Sequence, residues 1–199
     1  QKGIKISQFL LKFGIDIRKK VFKEIHESIG DIKIFVAGGA ALDPEVEKGY
    51  NELGFKMYQG YGLTETSPVI ATEDDKYRKV GSIGKAFPSL DVKIDEPNED
   101  GVGELLVKGD SVMLGYYNNE AETNLTLKHH RDGNIWLHTG DIGSMDEDGF
   151  VTYKQRLKRM IITSGYNVYP SQIEEVLEKH EAIAAASVIG IPHPYKMEV

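Results

Sequence analysis

Gln59-Gly60-Tyr61-Gly62-Leu63-Thr64-Glu65-Thr66-Ser67-Pro68 is the stretch on which the reading of this chain turns. It is entered from Phe55 to Gln59, a short apolar-rich run that reads as a strand, and glycines open the turn that follows. Just past the strand end, a hydroxyl (Thr64) stands beside a carboxylate (Glu65). The hydroxyl can donate to a phosphate oxygen. A hard cation such as magnesium takes a carboxylate oxygen together with phosphate and water, rather than a full protein cage. The same letters also suit an ordinary strand-to-helix turn capped by Thr64, so the companion segments have to decide.

Working outward, Ile32 to Ala37 reads as a strand, Gly38-Gly39 as a turn, and Asp43 as the N-cap of a helix with Pro44 at its first position, running to about Leu53. Strand, glycine turn, helix and strand in succession predict a parallel α/β layer, whose ligands gather at the carboxyl ends of strands. Both glycine turns fall there. Further upstream, Ser7 to Ile29 carries apolar residues at helical spacing, predicting one or two amphipathic helices broken near Gly14. Arg18, Lys19, Lys20 and Lys23 within it form either a solvated helix face or a peripheral contact with an acidic membrane.

From Val80 the pattern shifts to short β segments: Asp91 to Ile94, Gly103 to Val107, Asn134 to His138, Asp141 to Met145 and Phe150 to Tyr153. They predict a small, mostly antiparallel β-barrel or distorted sheet, with one helix from Asn119 to Leu127. After Lys158 come two short strands, a helix from Pro170 to about His180 and a strand from Val188 to Ile191. The expected fold class is therefore α/β plus β, with a small α+β unit beginning at the end. The expected divisions are 1–79, 80–157 and 158–199.

Composition excludes more than it identifies. With 40% hydrophobic and 28% charged residues the chain is ordinary for a globular protein, and a net charge of -7 argues against a nucleic-acid surface. Zero cysteines remove disulfides, thiolate metal sites and a cysteine nucleophile. They fit a reducing, cytoplasmic setting. Both ends look cut, so an internal piece of a larger protein is expected.

Taken in order, five segments resemble those of the acyl-adenylate-forming (AMP-binding) superfamily, in which acyl-CoA synthetases, adenylation domains and luciferases share a fold. They are Gly38-Gly39-Ala40-Ala41-Leu42; Gln59 to Glu65; Gly103-Glu104-Leu105 leading to Leu114-Gly115-Tyr116-Tyr117; Trp136-Leu137-His138-Thr139-Gly140-Asp141; and Arg156-Leu157-Lys158-Arg159 followed by Ser164-Gly165-Tyr166-Asn167-Val168-Tyr169-Pro170. The pattern looks most like a fatty acyl-CoA synthetase of the long-chain type. The fold this implies is the C-terminal part of the large adenylate-forming domain and the beginning of the small mobile domain.

The resemblance implies ATP, magnesium and coenzyme A, with a fatty acid as the acid substrate. Thr64 would contact phosphate and Glu65 would hold magnesium, the two assigned to the chemistry. Gly38, Gly39, Ala40, Gln59, Gly60, Tyr61 and Gly62 would line the nucleotide, with Tyr61 against the adenine ring or, alternatively, simply in the core. Asp141 would accept from the ribose hydroxyls, the alternative being an exposed strand-end carboxylate. Arg156 would join it, or form a surface salt bridge. Lys158 would be the hinge of the C-terminal domain, and Ser164, Gly165 and Tyr166 would approach coenzyme A. Trp136 and His138 are expected to support the site rather than act in it. Gln155 stands where many relatives carry Asp.

Other patterns fail. Asp146-Glu147-Asp148-Gly149 lacks the glutamate a calcium loop needs, Gly84-Lys85 is no phosphate loop, and no Gly-x-Ser-x-Gly elbow occurs. His129 and His130 are adjacent, so they are expected to point apart and to bind no metal. The superfamily's Ser/Thr/Gly-rich phosphate loop and its late lysine are not found, so the 199 residues alone are expected to be inactive. An aryl or amino-acid adenylating enzyme and a non-catalytic nucleotide-binding module are the competing functions.

Overall fold

The structure, a computed structural model, describes residues 2–30, 32–40 and 42–198, so Ala41 of the glycine-rich segment lies outside the described residues. It opens with three short helices, α1 (Lys2–Leu11), α2 (Arg18–Val21) and α3 (Lys23–Ile29), rather than one or two. Gly14 takes a left-handed φ of 76°, and Phe22, at φ -111° and ψ 33°, makes a second break that hydropathy did not reveal.

β1 (Ile34–Ala37) and α4 (Pro44–Leu53) follow as expected. Asp43 caps α4 by accepting from Glu45 N, and Gly54 ends it in a left-handed conformation. Arg18 donates to Asn51 O at 2.6 Å, and His26 Nε2 lies 2.9 Å from Leu53 O while its ring stacks on Phe55. The last carbonyls of α4 are thus satisfied by basic side chains of α2 and α3. Arg18 therefore serves as an internal tie, whereas Lys19, Lys20 and Lys23 remain exposed.

β2 (Lys56–Gly62) pairs in parallel with β1 from Ile34↔Lys56 to Ala37↔Gln59. On its other side it pairs antiparallel with β3 (Val69–Thr72), which pairs with β4 (Lys85–Ala86). Of the expected parallel layer, one parallel pair is present among the described residues. β2 hands the chain directly to antiparallel structure.

The second sheet contains β5 (Leu90–Asp95), β6 (Val102–Gly109), β7 (Leu127–His129, after helix α5, Glu120–Thr126), β8 (Ile135–Met145) and β9 (Val151–Arg156). β5, β6 and β8 are successive neighbours. The two strands expected at 134–138 and 141–145 are one, β8, bent at Gly140 with φ 68°. β7 pairs with Ile135 to Leu137 and β9 with Asp141 to Met145, so β7 and β9 lie end to end along one edge of β8. β6 spans both halves from the other edge and keeps them one strand. Ile70, Ala71, Ile83, Leu90, Leu105, Val107, Leu137 and Val151 form one buried core, drawn from both sides of residue 79.

The last sheet has the order β11-β10-β13-β12, from β10 (Ile161–Thr163), β11 (Tyr166–Val168), β12 (Pro192–His193) and β13 (Met197–Glu198), with α6 (Pro170–Glu178) between β11 and β12. The strand expected at Val188–Ile191 does not form. Glu174 on α6 accepts from Val188 N at 2.8 Å and Glu178 from Ala186 N at 2.9 Å, so carboxylates satisfy amides that a ladder would have used. Among the described residues no helix is long and apolar enough to cross a membrane.

Candidate functional site

Antiparallel pairing puts Asp141 on β8 directly opposite Arg156 on β9, the arrangement in which cross-strand side chains meet on one face. Arg156 Nε lies 3.2 Å from Asp141 Oδ1, and its NH1 donates to Thr139 O at 3.2 Å. From the other sheet, the end of β2 delivers Tyr61, whose hydroxyl donates to Asp141 Oδ2 at 2.6 Å. Two residues 80 positions apart are thereby joined by one charge-assisted hydrogen bond.

Asp141 is 1% exposed, so the exposed strand-end alternative is set aside. Its Oδ1, though near the Arg156 guanidinium, makes no hydrogen bond among the described residues. A buried, unpaired acceptor is costly, and it sits on the wall of a cleft, where an incoming hydroxyl could satisfy it. Burial raises the Asp141 carboxyl above the usual range, against the opposing pull of the Tyr61 hydroxyl and the Arg156 charge. Burial also raises the Tyr61 hydroxyl, reinforced by the Asp141 charge, and Tyr153 is raised by the same two causes in the same order.

The cleft holds about 540 Å³ and is lined by Gly39, Ala40, Gln59, Gly60, Tyr61, Gly62, Asp141 and Arg156, with Leu63, Ile83 and Tyr153 among its apolar walls. Eight of the ten residues expected at the nucleotide thus line one cleft. Gly38 does not; a side chain there would begin 3.3 Å from Gly60 O, so Gly38 lets β1 close on β2 behind the cleft. Gln59 is fixed by Glu73, a residue that motif reading missed. Glu73 is 2% exposed and accepts from Gln59 N at 2.9 Å and Lys79 N at 3.1 Å. Glu73 opens the acidic run Glu73-Asp74-Asp75 straight after β3, and nothing local separates it from its two solvated neighbours.

Thr64 is exposed on the 3-10 turn Thr64–Thr66, and Thr66 rather than Thr64 closes that turn, accepting from Leu63 N and donating toward Leu63 O and Pro68 O. The turn presses onto Gly62, where a Cβ would stand 1.7 Å from Pro68 O. Glu65 faces a neighbouring cleft of about 800 Å³ that shares Leu63 and Arg156 with the first and is also lined by Tyr116, His138, Gly140, Lys158 and Arg159. Tyr116 donates to Glu65 Oε1 at 2.7 Å, and Met113 N holds the Glu65 carbonyl at 2.8 Å. Glu104 and Glu122 also line this cleft, and Glu104 is taken up by His138 and Gly140 N. The Glu65 carboxylate is of the kind that suits a magnesium ion keeping water and phosphate oxygens as its other ligands.

Lys158 sits on the 3-10 turn Leu157–Arg159, immediately after Arg156. Ser164 and Gly165 form the turn between β10 and β11 at φ 52° and 85°, and Tyr166 is 75% exposed. These three line neither cleft. Trp136 Nε1 donates to Asp132 Oδ2, and His138 contacts Glu104 and His130, so both hold the sheet beside the clefts.

This fold is that of a known family. The chain belongs to the family described as AMP-binding enzyme, whose profile matches residues 10–117. It is 44% identical to a long-chain-fatty-acid–CoA ligase of Bacillus subtilis, over 87% of this chain and 31% of that protein. It is 38% identical to a 2-succinylbenzoate–CoA ligase of Bacillus cereus, over 96% of this chain and 39% of that protein. Among solved structures it resembles o-succinylbenzoate coenzyme A synthetase from Bacillus subtilis in complex with ATP and magnesium ion. The TM-score is 0.73 and identity 33%, covering 90% of this chain and 39% of that one. The chain thus spans less than two-fifths of the length of each of these relatives.

Proposed function

We propose that this chain carries the adenosine side of the active site of an ATP-dependent acid–CoA ligase whose acid is a fatty acid. In that reaction a substrate carboxylate oxygen attacks the α-phosphorus of ATP, the bond to the leaving pyrophosphate breaks, and an acyl-adenylate forms. The thiol of coenzyme A, losing its proton, then attacks the acyl carbon and AMP leaves. Positioning and charge neutralisation dominate such chemistry.

The Tyr61–Asp141 hydrogen bond carries the proposal, because it brings two separate sequence segments to one cleft. The purine lies along Tyr61, with the small residues Gly39, Ala40, Gly60 and Gly62 letting backbone approach it. The ribose hydroxyls donate to Asp141 Oδ1, beside Arg156. Thr64 reaches phosphate and Glu65 holds magnesium. Lys158 is the hinge about which Ser164, Gly165 and Tyr166 swing toward coenzyme A. By itself the chain is proposed to be inactive, since its 199 residues contain no Ser/Thr/Gly-rich phosphate loop. Pyrophosphate release from ATP and a fatty acid by these residues alone would refute that part.

The main test uses a protein extended to the length of the relatives. AMP formation is measured over a panel of carboxylic acids with and without coenzyme A, for the parent and Asp141→Ala. Long-chain fatty acids should be preferred, and the substitution should weaken ATP binding by about 1.5–3 kcal/mol. Unchanged ATP dependence in Asp141→Ala rejects the ribose role. A preference for 2-succinylbenzoate, which the 38% identical relative makes the second reading, replaces the fatty acid with an aryl acid.

A further inference from the structure

His130, whose place beside His129 argues in the sequence against a metal, and His138, expected to support the site, are brought together by the fold. Their Nε2 atoms lie 3.0 Å apart and their rings are 5.2 Å apart. Strand register puts Asp95 opposite Glu104 and Leu106 opposite His138, so Asp95, Glu104 and His138 share one face of the second sheet. Ligating atoms of Asp95, His130 and His138 all lie within 4.8 Å of one another.

The protonation pattern follows from the partners. Glu104 Oε2, 2.8 Å from His138 Nδ1, fixes the hydrogen on that nitrogen and leaves a lone pair on His138 Nε2. This is the carboxylate–histidine arrangement that orients an imidazole toward a metal. Lys93 Nζ stands 3.4 Å from His130 Nδ1, so the hydrogen shared by the two Nε2 atoms belongs to His130. Two imidazole nitrogens 3.0 Å apart can both lie about 2.0–2.1 Å from one ion, and the Asp95 carboxylate reaches it by a side-chain rotation.

We propose that Asp95, His130 and His138 form a site for a divalent transition metal such as Zn²⁺, separate from the magnesium expected at Glu65. On binding, the His130 hydrogen passes from Nε2 to Nδ1 and the Lys93 ammonium turns away toward Asp132 and the face of Trp136, which lie 3.9 and 4.1 Å from its present position. Two imidazoles and a carboxylate suit zinc, nickel, copper or cobalt rather than magnesium or calcium. The occupied site would also stiffen the bend at Gly140, because Glu104 Oε1 accepts from Gly140 N at 2.9 Å while its other oxygen holds His138. The proposal stands whether or not the ligase function holds, since nothing in it involves ATP.

Titration of this chain with Zn²⁺ by calorimetry, and with Co²⁺ by visible absorption, tests it without nucleotide. One ion per chain is expected, with the absorption of a nitrogen-ligated cobalt. His130→Ala and His138→Ala should each weaken binding at least tenfold, and Lys93→Met, which removes the competing cation, should tighten it. If His138→Ala fails to fold, His130→Ala and Lys93→Met still decide, because His130 lies in a half-buried turn and Lys93 at the rim. Absence of saturable binding overturns the proposal, as does affinity indifferent to His130→Ala and Lys93→Met.

Discussion

Leu105, Leu106 and Val107 on β6 are each 0% exposed, whereas Phe9 on α1 and Phe13 just after it keep 60% and 68% of their surface. The two regions use similar side chains to different ends. β6 lies between β5 and β8, with Ile70 and Val151 closing over it, so that core is complete within the described residues. The N-terminal layer has a smaller apolar centre, the rings of Phe35, Tyr50 and Phe55 with Met57 and Tyr58 buried on β2, and adds polar ties to it: Arg18 to Asn51, His26 to Leu53 and Arg78 to Glu47. Its outer apolar groups, Ile34 and Val36 on β1 included, remain exposed. The difference teaches that the antiparallel sheet is the frame and that the Tyr61 strand reaches it from a layer with a smaller core, supplemented by polar ties.

The largest expected effect sets these regions against each other. Leu105→Ala should destabilise the chain by about 3 kcal/mol, the cavity cost of a filled core position, and Phe9→Ala by under about 0.5 kcal/mol. Comparable losses in urea unfolding would break the contrast. Next comes the polar tie. Glu47 is 1% exposed and pairs with Arg78 at 2.6 Å, so Arg78→Met strands a buried carboxylate at a cost of about 2–3 kcal/mol. A change within error would mean that apolar contact, not charge, holds α4 in place.

Tyr61→Phe removes the donor to Asp141 Oδ2 at the seam between the regions and should cost about 1–2 kcal/mol. Its pH dependence sharpens the point. Asp141 has a raised pKa in the fold, so the folded state holds its proton more tightly than the unfolded chain, and stability falls as pH rises from the ordinary carboxylate value through the raised one. Tyr61→Phe, lacking the bond that favours the charged form, should steepen that fall, and a melting series from pH 4 to 8 would read it. The smallest effect belongs to the N-terminal layer. Asp16, held by Arg18 at about 2 against 3.8, contributes stability above its unfolded value, and that is lost as pH falls toward 2. Since its side chain is 48% exposed, Asp16→Asn should remove only a few tenths of a kcal/mol, about what a solvated pair is worth. A loss above about 1 kcal/mol would promote that pair to a structural member.

Legibility in the sequence followed the distance over which each signal acts. Asp43 and Pro44 mark the start of α4 locally, and the structure places its cap and first turn there and its end at the expected Leu53. β8 reads as two strands because Gly140 punctuates it locally, whereas β6 holds the halves together from far along the chain. The strand at Val188 was lost to carboxylates of α6, which hydropathy does not register. At the candidate site, Tyr61 and Asp141 could be linked beforehand only through motif resemblance, since no local pattern joins residues 80 apart. The His130–His138 pair is not legible locally, since His130 adjoins His129 in the chain and its partner lies beyond the hairpin turn.

Gly62 has a consequence for how this protein can change. The carbonyl of Pro68 occupies the space a side chain would need, so the hoop from Leu63 to Pro68 is cinched to a fixed circumference. Thr64 and Glu65 ride on that hoop like stones in a ring. Their reach cannot be tuned by swapping the residue at its clasp, only by lengthening or shortening the hoop, and alanine at Gly62 should spring it open.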